Sequence, residues 1–129
     1  MQRKFVDTNI FVEIFARSGD KSDNCKKLLI KENTLCTSSL IISELEWVLR
    51  YAYKIGRRAI STYLKQVLLS DIEVDNKKVL MNTLNFYEAN NVDWTDCLNM
   101  FLIKDQKIEA LYSYDKGLKI YGWINRLEP

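Results

Sequence analysis

The fold is decided by the stretch FVDTNIFVEIF, residues 5–15. Residues Arg3 to Val6 are predicted to form a short buried strand, which ends at Asp7. From Thr8 to about Arg17, apolar residues recur at helical spacing, which predicts a helix. A strand that passes through a polar residue directly into a helix is typical of an α/β domain.

The rest of the chain repeats this alternation. Further helices are predicted at about 20–32, 40–54, 57–69, 77–89 and 93–105, and strands at 34–37, around 72–74, at 108–114 and, as an edge strand, within 120–127. The pattern predicts an α/β fold with a mainly parallel sheet. Ligands of such sheets bind beyond the carboxyl ends of the strands, where Asp7 and Asp115 are both expected.

The bulk composition predicts one domain spanning residues 1–129. Hydrophobic residues make up 47% of the 129 residues, and the only proline is the last residue. No linker-like tract, bilayer-length apolar run or signal-peptide pattern interrupts the chain. We therefore expect a cytoplasmic protein without a membrane partner.

The composition also limits the chemistry. Because the chain has no histidine, Ser–His and Cys–His nucleophiles and imidazole ligands are excluded. Cys25, Cys36 and Cys97 are an odd number without CxxC spacing, so we expect free thiols rather than disulfides or a zinc site. The net charge of +2 permits a nucleic-acid partner without requiring one.

Four acidic residues, Asp7, Glu44, Asp96 and Asp115, lie at predicted strand ends or in predicted helices. If they converge, their charges repel one another unless a divalent cation binds. Such a cluster would hold Mg²⁺ or Mn²⁺, and the chemistry that follows is phosphodiester hydrolysis.

Each acid also has a purely structural interpretation. Asp7 and Asp93 can cap helices, Asp96 occupies the third position of its helix, close to a capping box, and Asp115 can belong to a turn. From each segment alone, both interpretations stay open.

Two further choices concern neighbouring residues. Glu44 and Glu46 border the apolar stripe of their helix on opposite sides, so periodicity does not choose between them. Thr8 and Asn9 follow Asp7 directly, and Ser113 lies one strand repeat before Asp115. Their oxygen-bearing side chains could orient a carboxylate or a metal-bound water.

The ordered set of motifs resembles the PIN-domain family, most closely the VapC-like toxin ribonucleases of toxin–antitoxin pairs. The motifs are DTN near the start, ELEWVL a third of the way along, DWTD before an apolar helix and SYDK near the end. They cover essentially the whole chain. The resemblance implies a three-layer α/β/α sandwich around a central, mainly parallel sheet of four to five strands.

The same resemblance implies a metal-dependent endoribonuclease. Its catalytic and metal-binding carboxylates would be Asp7, Glu44, Asp96 and Asp115, with Asn9, Asp93 and Ser113 at supporting positions. It thereby selects Glu44 over Glu46. It also implies an RNA substrate, a homodimer and a cognate antitoxin that blocks the acidic groove.

Residues 50–58, RYAYKIGRR, interleave basic and aromatic side chains, which suits phosphates and stacked bases. Lys54, Arg57 and Arg58 are the candidate RNA contacts, and a solvated turn between helices is the alternative.

Two rival functions remain. One is a non-catalytic PIN-like module that binds RNA or a partner. The other is a phosphoaspartate enzyme or receiver domain, but Asp7-Thr8-Asn9 lacks the second aspartate of a D-x-D motif, and Lys116 follows Asp115 too closely for a receiver.

Overall fold

The computed structural model describes residues 2–129, and this range has the α/β architecture expected from the sequence. Its strands are β1 (Lys4–Phe5), β2 (Leu35–Thr37), β3 (Glu73–Val74), β4 (Leu111–Tyr112) and β5 (Arg126–Leu127). Its α-helices are α1 (Thr8–Ala16), α2 (Asp20–Lys31), α3 (Ser39–Tyr51), α4 (Arg57–Leu69), α5 (Lys77–Ala89) and α6 (Trp94–Asp105), and a 3-10 helix covers Lys116–Ile120. Within the described range no helix combines the length and apolar character needed to cross a bilayer.

The strands of the described chain pair in parallel, but they form two sheets. The first has the order β1-β2-β3, and the second consists of β4 and β5. The predicted strand 108–114 is shorter than expected, because the Ile108 amide donates to the Ile103 carbonyl (3.0 Å) at the end of α6 and strand pairing covers only Leu111–Tyr112. The predicted α/β sandwich with parallel strands is confirmed, while its five strands are divided three and two.

Side chains cap three of the α-helices, and for two of them, Asp7 and Asp93, capping was one of the interpretations considered from the sequence. The Ile41 amide donates to Ser38 Oγ (3.2 Å) at the start of α3, and the Asp96 amide donates to Asp93 Oδ2 (3.1 Å) at the start of α6. The Thr8 amide donates to Asp7 Oδ1 (2.8 Å) at the start of α1. These bonds satisfy amides that have no partner within the helix.

The core brings α3 and α6 together. Buried side chains form one hydrophobic cluster, whose largest fully buried members are Trp94, Tyr87, Phe11, Ile42, Leu45 and Leu49. Helix α3 contacts α1, α4 and α6, and α5 contacts α4 and α6. The helix that carries Glu44 therefore lies beside the helix that carries Asp96.

Candidate active site

Asp7 lies at the carboxyl end of β1. The sheet holds the chain up to Val6, whose amide donates to the Cys36 carbonyl (2.8 Å) and whose carbonyl accepts from Thr37 Oγ1 (2.9 Å). Asp7 is exposed, and the adjacent Thr8 is buried with no hydrogen-bond partner for its hydroxyl in the described chain. A polar group of this kind costs free energy unless a ligand or water satisfies it.

The two glutamates of α3 have different environments. Glu44 is exposed and makes no ion pair within residues 2–129. Glu46 is 1% exposed and accepts hydrogen bonds from Tyr87 Oη (2.8 Å) and from Arg50 Nε (2.8 Å) and Nη2 (3.2 Å). The Glu46 carboxylate is thus occupied by hydrogen bonds inside the fold, whereas the exposed Glu44 carboxylate is accessible to a ligand.

The first turn of α6 carries two carboxylates. Asp93 caps the helix, and Asp96 is half-buried in its first turn. Burial raises the pKa of Asp96, and the negative charges of Asp93 and Asp115 raise it further. The repulsion shows that these three carboxylates share one electrostatic environment.

Asp115 is held by a turn at the end of β4. Its amide donates to Ser113 Oγ (3.0 Å), and its Oδ1 accepts from the Gly117 amide (2.8 Å). A Cβ at Gly117 would lie 3.0 Å from Asp115 Oδ1, so the absence of a side chain there leaves room for the carboxylate.

Asp93, Asp96 and Asp115 line one pocket of about 150 Å³, together with Asn91, Val92, Gly117, Leu118, Ile120 and Tyr121. We call this the carboxylate pocket. Asp7 and Glu44 do not line it, and Asn9 lines a separate cleft between α1 and α2. Helix α3 nevertheless reaches its edge, because Arg50 Nη2 lies 3.5 Å from Oδ1 of Asp93, which lines the pocket.

The chemistry of these acids fits a hard divalent cation. In the part of the chain that the structure describes, the ion pairs use other acidic residues, so Asp7, Glu44, Asp96 and Asp115 are not neutralised by Lys or Arg. The described residues contain no group of three Asp, Glu, Cys or His side chains close enough to hold an ion directly. Mg²⁺ can bind at a site with fewer direct protein ligands, because it keeps several waters and is often bound through one or two carboxylates.

The three candidate RNA-contacting residues differ in how accessible their side chains are to a ligand. Lys54 and Arg58 are exposed. Arg57 stacks on the ring of Tyr87 (4.1 Å to the centroid) and donates to the Tyr87 carbonyl (3.0 Å) and to Asn91 Oδ1 (3.4 Å). Arg57 therefore connects α4 with the end of α5 and the segment after it.

The contact group formed by Glu46, Arg50 and Tyr87 was not predicted from the sequence. The spacing of Glu46 and Arg50, four residues apart on one helix, is a signal for an ion pair. Nothing in the sequence indicates that Tyr87, on α5, completes this group.

The comparison with protein-family models agrees with the resemblance to the PIN domain. A family model for the PIN domain matches residues 4–124. Among solved structures, the chain is similar to Mycobacterium tuberculosis VapC20, described as a sarcin–ricin loop cleaving toxin, with 17% identity, coverage of 97% of this chain and 98% of that chain, and a TM-score of 0.46. No curated protein matches the chain significantly.

Proposed function

This chain belongs to the PIN-domain family, and on that premise we propose that it is a metal-dependent endoribonuclease, the toxin of a toxin–antitoxin pair. The supporting observation is the carboxylate pocket, which Asp93, Asp96 and Asp115 line together and where burial, followed by the charges of Asp93 and Asp115, raises the pKa of Asp96. Raised carboxylate pKa values in a cleft are typical of functional sites.

Asp96 and Asp115, which line the carboxylate pocket, are the first two proposed metal ligands. Asp7, from the end of β1, and Glu44, from α3, are proposed to complete it. Mg²⁺ or Mn²⁺, when bound, would lower the pKa of a coordinated water and neutralise charge on the phosphoryl oxygens. The resemblance to PIN-domain ribonucleases implies hydrolysis by water that leaves a 5′-phosphate and a 3′-hydroxyl, a route that requires no histidine, and the chain has none.

Supporting groups fix these carboxylates. The Ser113 hydroxyl accepts from the amide of Asp115, and Asp93 holds the amide of Asp96. Thr8 and Asn9 are proposed to orient Asp7 or a water beside it. Each of these roles is a positioning role.

Substrate and partners follow from the same proposal. Lys54 and Arg58 are exposed basic residues that can contact RNA phosphates, whereas Arg57 is engaged inside the fold. We propose a cytoplasmic, one-domain protein that forms a homodimer and is inhibited by a cognate antitoxin covering the acidic site.

The direct test is RNA cleavage with Mg²⁺ or Mn²⁺. We expect Asp96→Asn and Asp115→Asn to lower kcat at least about 100-fold, because a carboxylate that holds the reacting water or metal contributes at that scale. Asp7→Asn and Glu44→Gln test whether these two acids join the site. Asp71→Asn, a change at an exposed acid outside the carboxylate pocket, serves as the control and should cleave at the wild-type rate. Equal rates in Asp96→Asn and wild type would refute the proposal.

A non-catalytic PIN-like module is the second candidate. It is favoured by one observation, that Asp7 and Glu44 lie outside the carboxylate pocket. Calorimetric titration with Mn²⁺ separates the two: an active site binds Mn²⁺ specifically and loses this binding in Asp96→Asn, and a binding module shows no difference between the two chains.

A further inference from the structure

Two arginines from neighbouring helices hold the segment that leads into α6. Arg50, on α3, approaches Asp93 with an Nη2–Oδ1 distance of 3.5 Å. Arg57, at the start of α4, donates from Nη2 to Asn91 Oδ1 (3.4 Å). Asn91 and Asp93 both line the carboxylate pocket, so each arginine contacts one residue of its wall.

Arg50 is itself fixed from the core side. Its Nε and Nη2 form a two-point contact with Glu46, and Nη1 donates to Tyr51 Oη (3.1 Å). A buried carboxylate such as Glu46 requires a charged partner, since breaking such a pair leaves an uncompensated buried charge. The planar guanidinium can satisfy Glu46 and still point Nη2 at Asp93, which a lysine ammonium cannot do with the same geometry.

Arg57 is fixed in a similar way. Its guanidinium lies over the Tyr87 ring at 4.1 Å and donates from Nη1 to the Tyr87 carbonyl. Tyr87 is fully buried and donates its hydroxyl hydrogen to Glu46 (2.8 Å). Both arginines are therefore tied to the same buried pair, Glu46 and Tyr87.

One further hydrogen bond connects the anchored segment to Asp96. Asp93 faces Arg50 with Oδ1 and accepts from the Asp96 amide with Oδ2. Any shift of Asp93 would therefore move the first turn of α6 and the Asp96 carboxylate with it.

We propose that Arg50 and Arg57 are positioning residues that anchor the 91–93 segment and so set the place of Asp96 in the carboxylate pocket. Their effect on metal and RNA rests on the proposed function; their anchoring of the segment does not. Neither arginine contacts the substrate in this proposal. Their guanidinium groups instead bind Glu46, Tyr87 and residues of the 91–93 segment.

The anchoring is tested without metal, by amide hydrogen exchange in the full chain. Arg50→Lys and Arg57→Lys retain the charge and remove the multipoint contact. We expect at least about 10-fold faster exchange at the Asp96 amide, because its cap loses its support. Arg3→Lys, which alters an exposed ion pair with Glu73, should leave this exchange unchanged.

The variant Val67→Ala distinguishes a general loss of stability from a local loss of anchoring at the 91–93 segment. Val67 is buried near the far end of α4 and does not line the carboxylate pocket. This variant creates a cavity in the core, and it should unfold more easily while the exchange of the Asp96 amide relative to other core amides stays as in wild type.

The functional part is tested by Mn²⁺ titration under conditions where every variant is folded. We expect Arg50→Lys and Arg57→Lys to weaken Mn²⁺ binding about 10-fold or more, in the range observed when groups that orient metal ligands are replaced. Their kcat should fall while KM for RNA changes little. Val67→Ala should bind Mn²⁺ like wild type.

Unchanged exchange of the Asp96 amide in both lysine variants would overturn the anchoring role. Faster exchange with unchanged Mn²⁺ affinity would overturn its functional consequence. A wild-type chain that binds no Mn²⁺ would overturn the proposed function itself, and the exchange result would still decide the anchoring.

Discussion

The Asp96 carboxylate is half-buried, and its pKa is raised first by burial and then by the charges of Asp93 and Asp115. A folded-state pKa above the unfolded value means that ionisation opposes folding. We therefore expect Asp96→Asn to increase the free energy of unfolding at pH 7, while it strongly lowers RNA cleavage. Urea unfolding in the presence of EDTA measures this gain.

The sign of the pH dependence follows from the same shift. Below the ordinary aspartate pKa the carboxyl is protonated in both states, so the wild type and Asp96→Asn should have similar stabilities. As pH rises through the raised pKa, the wild type loses this contribution and the difference in unfolding free energy reaches a plateau. A difference that is constant from acidic to neutral pH, or that favours the wild type, would contradict the prediction.

Gly117 gives a second prediction at this scale. An added Cβ would lie 3.0 Å from Asp115 Oδ1 and would push away a carboxylate that also accepts from the Gly117 amide. We expect Gly117→Ala to lower kcat about 10-fold, as small misplacements of reacting groups do, with a change in stability under about 1 kcal/mol. Gly122→Ala, where a Cβ meets open space, is the matched control. Equal kcat values for the two variants would show that the position of Asp115 does not limit cleavage.

The choice between Glu44 and Glu46 shows how far single residues can be assigned from sequence. Both border the same apolar stripe, and hydrophobic spacing alone leaves the choice open. The structure distinguishes them by burial and partners, because Glu46 is engaged by Tyr87 from α5 and Glu44 stays exposed. Contact with a partner distant in sequence depends on the tertiary structure, so the local spacing of residues cannot predict it.

At the scale of elements, the helices follow local signals closely. The predicted bounds of α4 and α5 match the structure, and Asp93 caps α6 as expected. The strands are harder, since their extent depends on pairing with distant segments. The predicted strand 108–114 pairs only at Leu111–Tyr112, and the turn expected after Asp115 continues as the 3-10 helix Lys116–Ile120.

The contact between α3 and α5 is testable through Tyr87. Its hydroxyl donates to buried Glu46 at 2.8 Å, and its ring packs at 5.3 Å from Trp94. Tyr87→Phe keeps the ring and removes one donor from a buried carboxylate, so we expect a loss of about 1–3 kcal/mol in unfolding free energy, measured by urea denaturation.

The control for this variant is Tyr51→Phe. Tyr51 is exposed and accepts from Arg50 Nη1 at 3.1 Å. Surface changes of this kind stay within about 0.5 kcal/mol. If Tyr87→Phe costs no more than Tyr51→Phe, the buried hydrogen bond contributes nothing to the contact between these helices.

For the whole molecule, the sequence predicted the fold class more accurately than it predicted which acidic side chains lie close together. Alternation of strands and helices is a local pattern, and the α/β class with parallel strands followed from it, whereas the sandwich was implied by the family resemblance. Convergence depends on how sheets and helices pack, and the structure gathers Asp93, Asp96 and Asp115 while Asp7 and Glu44 stand outside their pocket. The role of all these residues in catalysis stays a prediction.

Cation binding should also act on the stability of the whole chain. Because Asp96 and Asp115 lack ion pairs in the described structure, a bound Mn²⁺ would stabilise the folded state by about 2.7 kcal/mol at a free concentration of 100 times its Kd. We expect the melting temperature to rise with Mn²⁺ in wild type and to stay constant in the Asp96→Asn/Asp115→Asn double variant, at matched ionic strength. EDTA should reverse the rise. An equal rise in the double variant would place the cation elsewhere on the protein, because a site without these carboxylates would then account for all of the stabilisation.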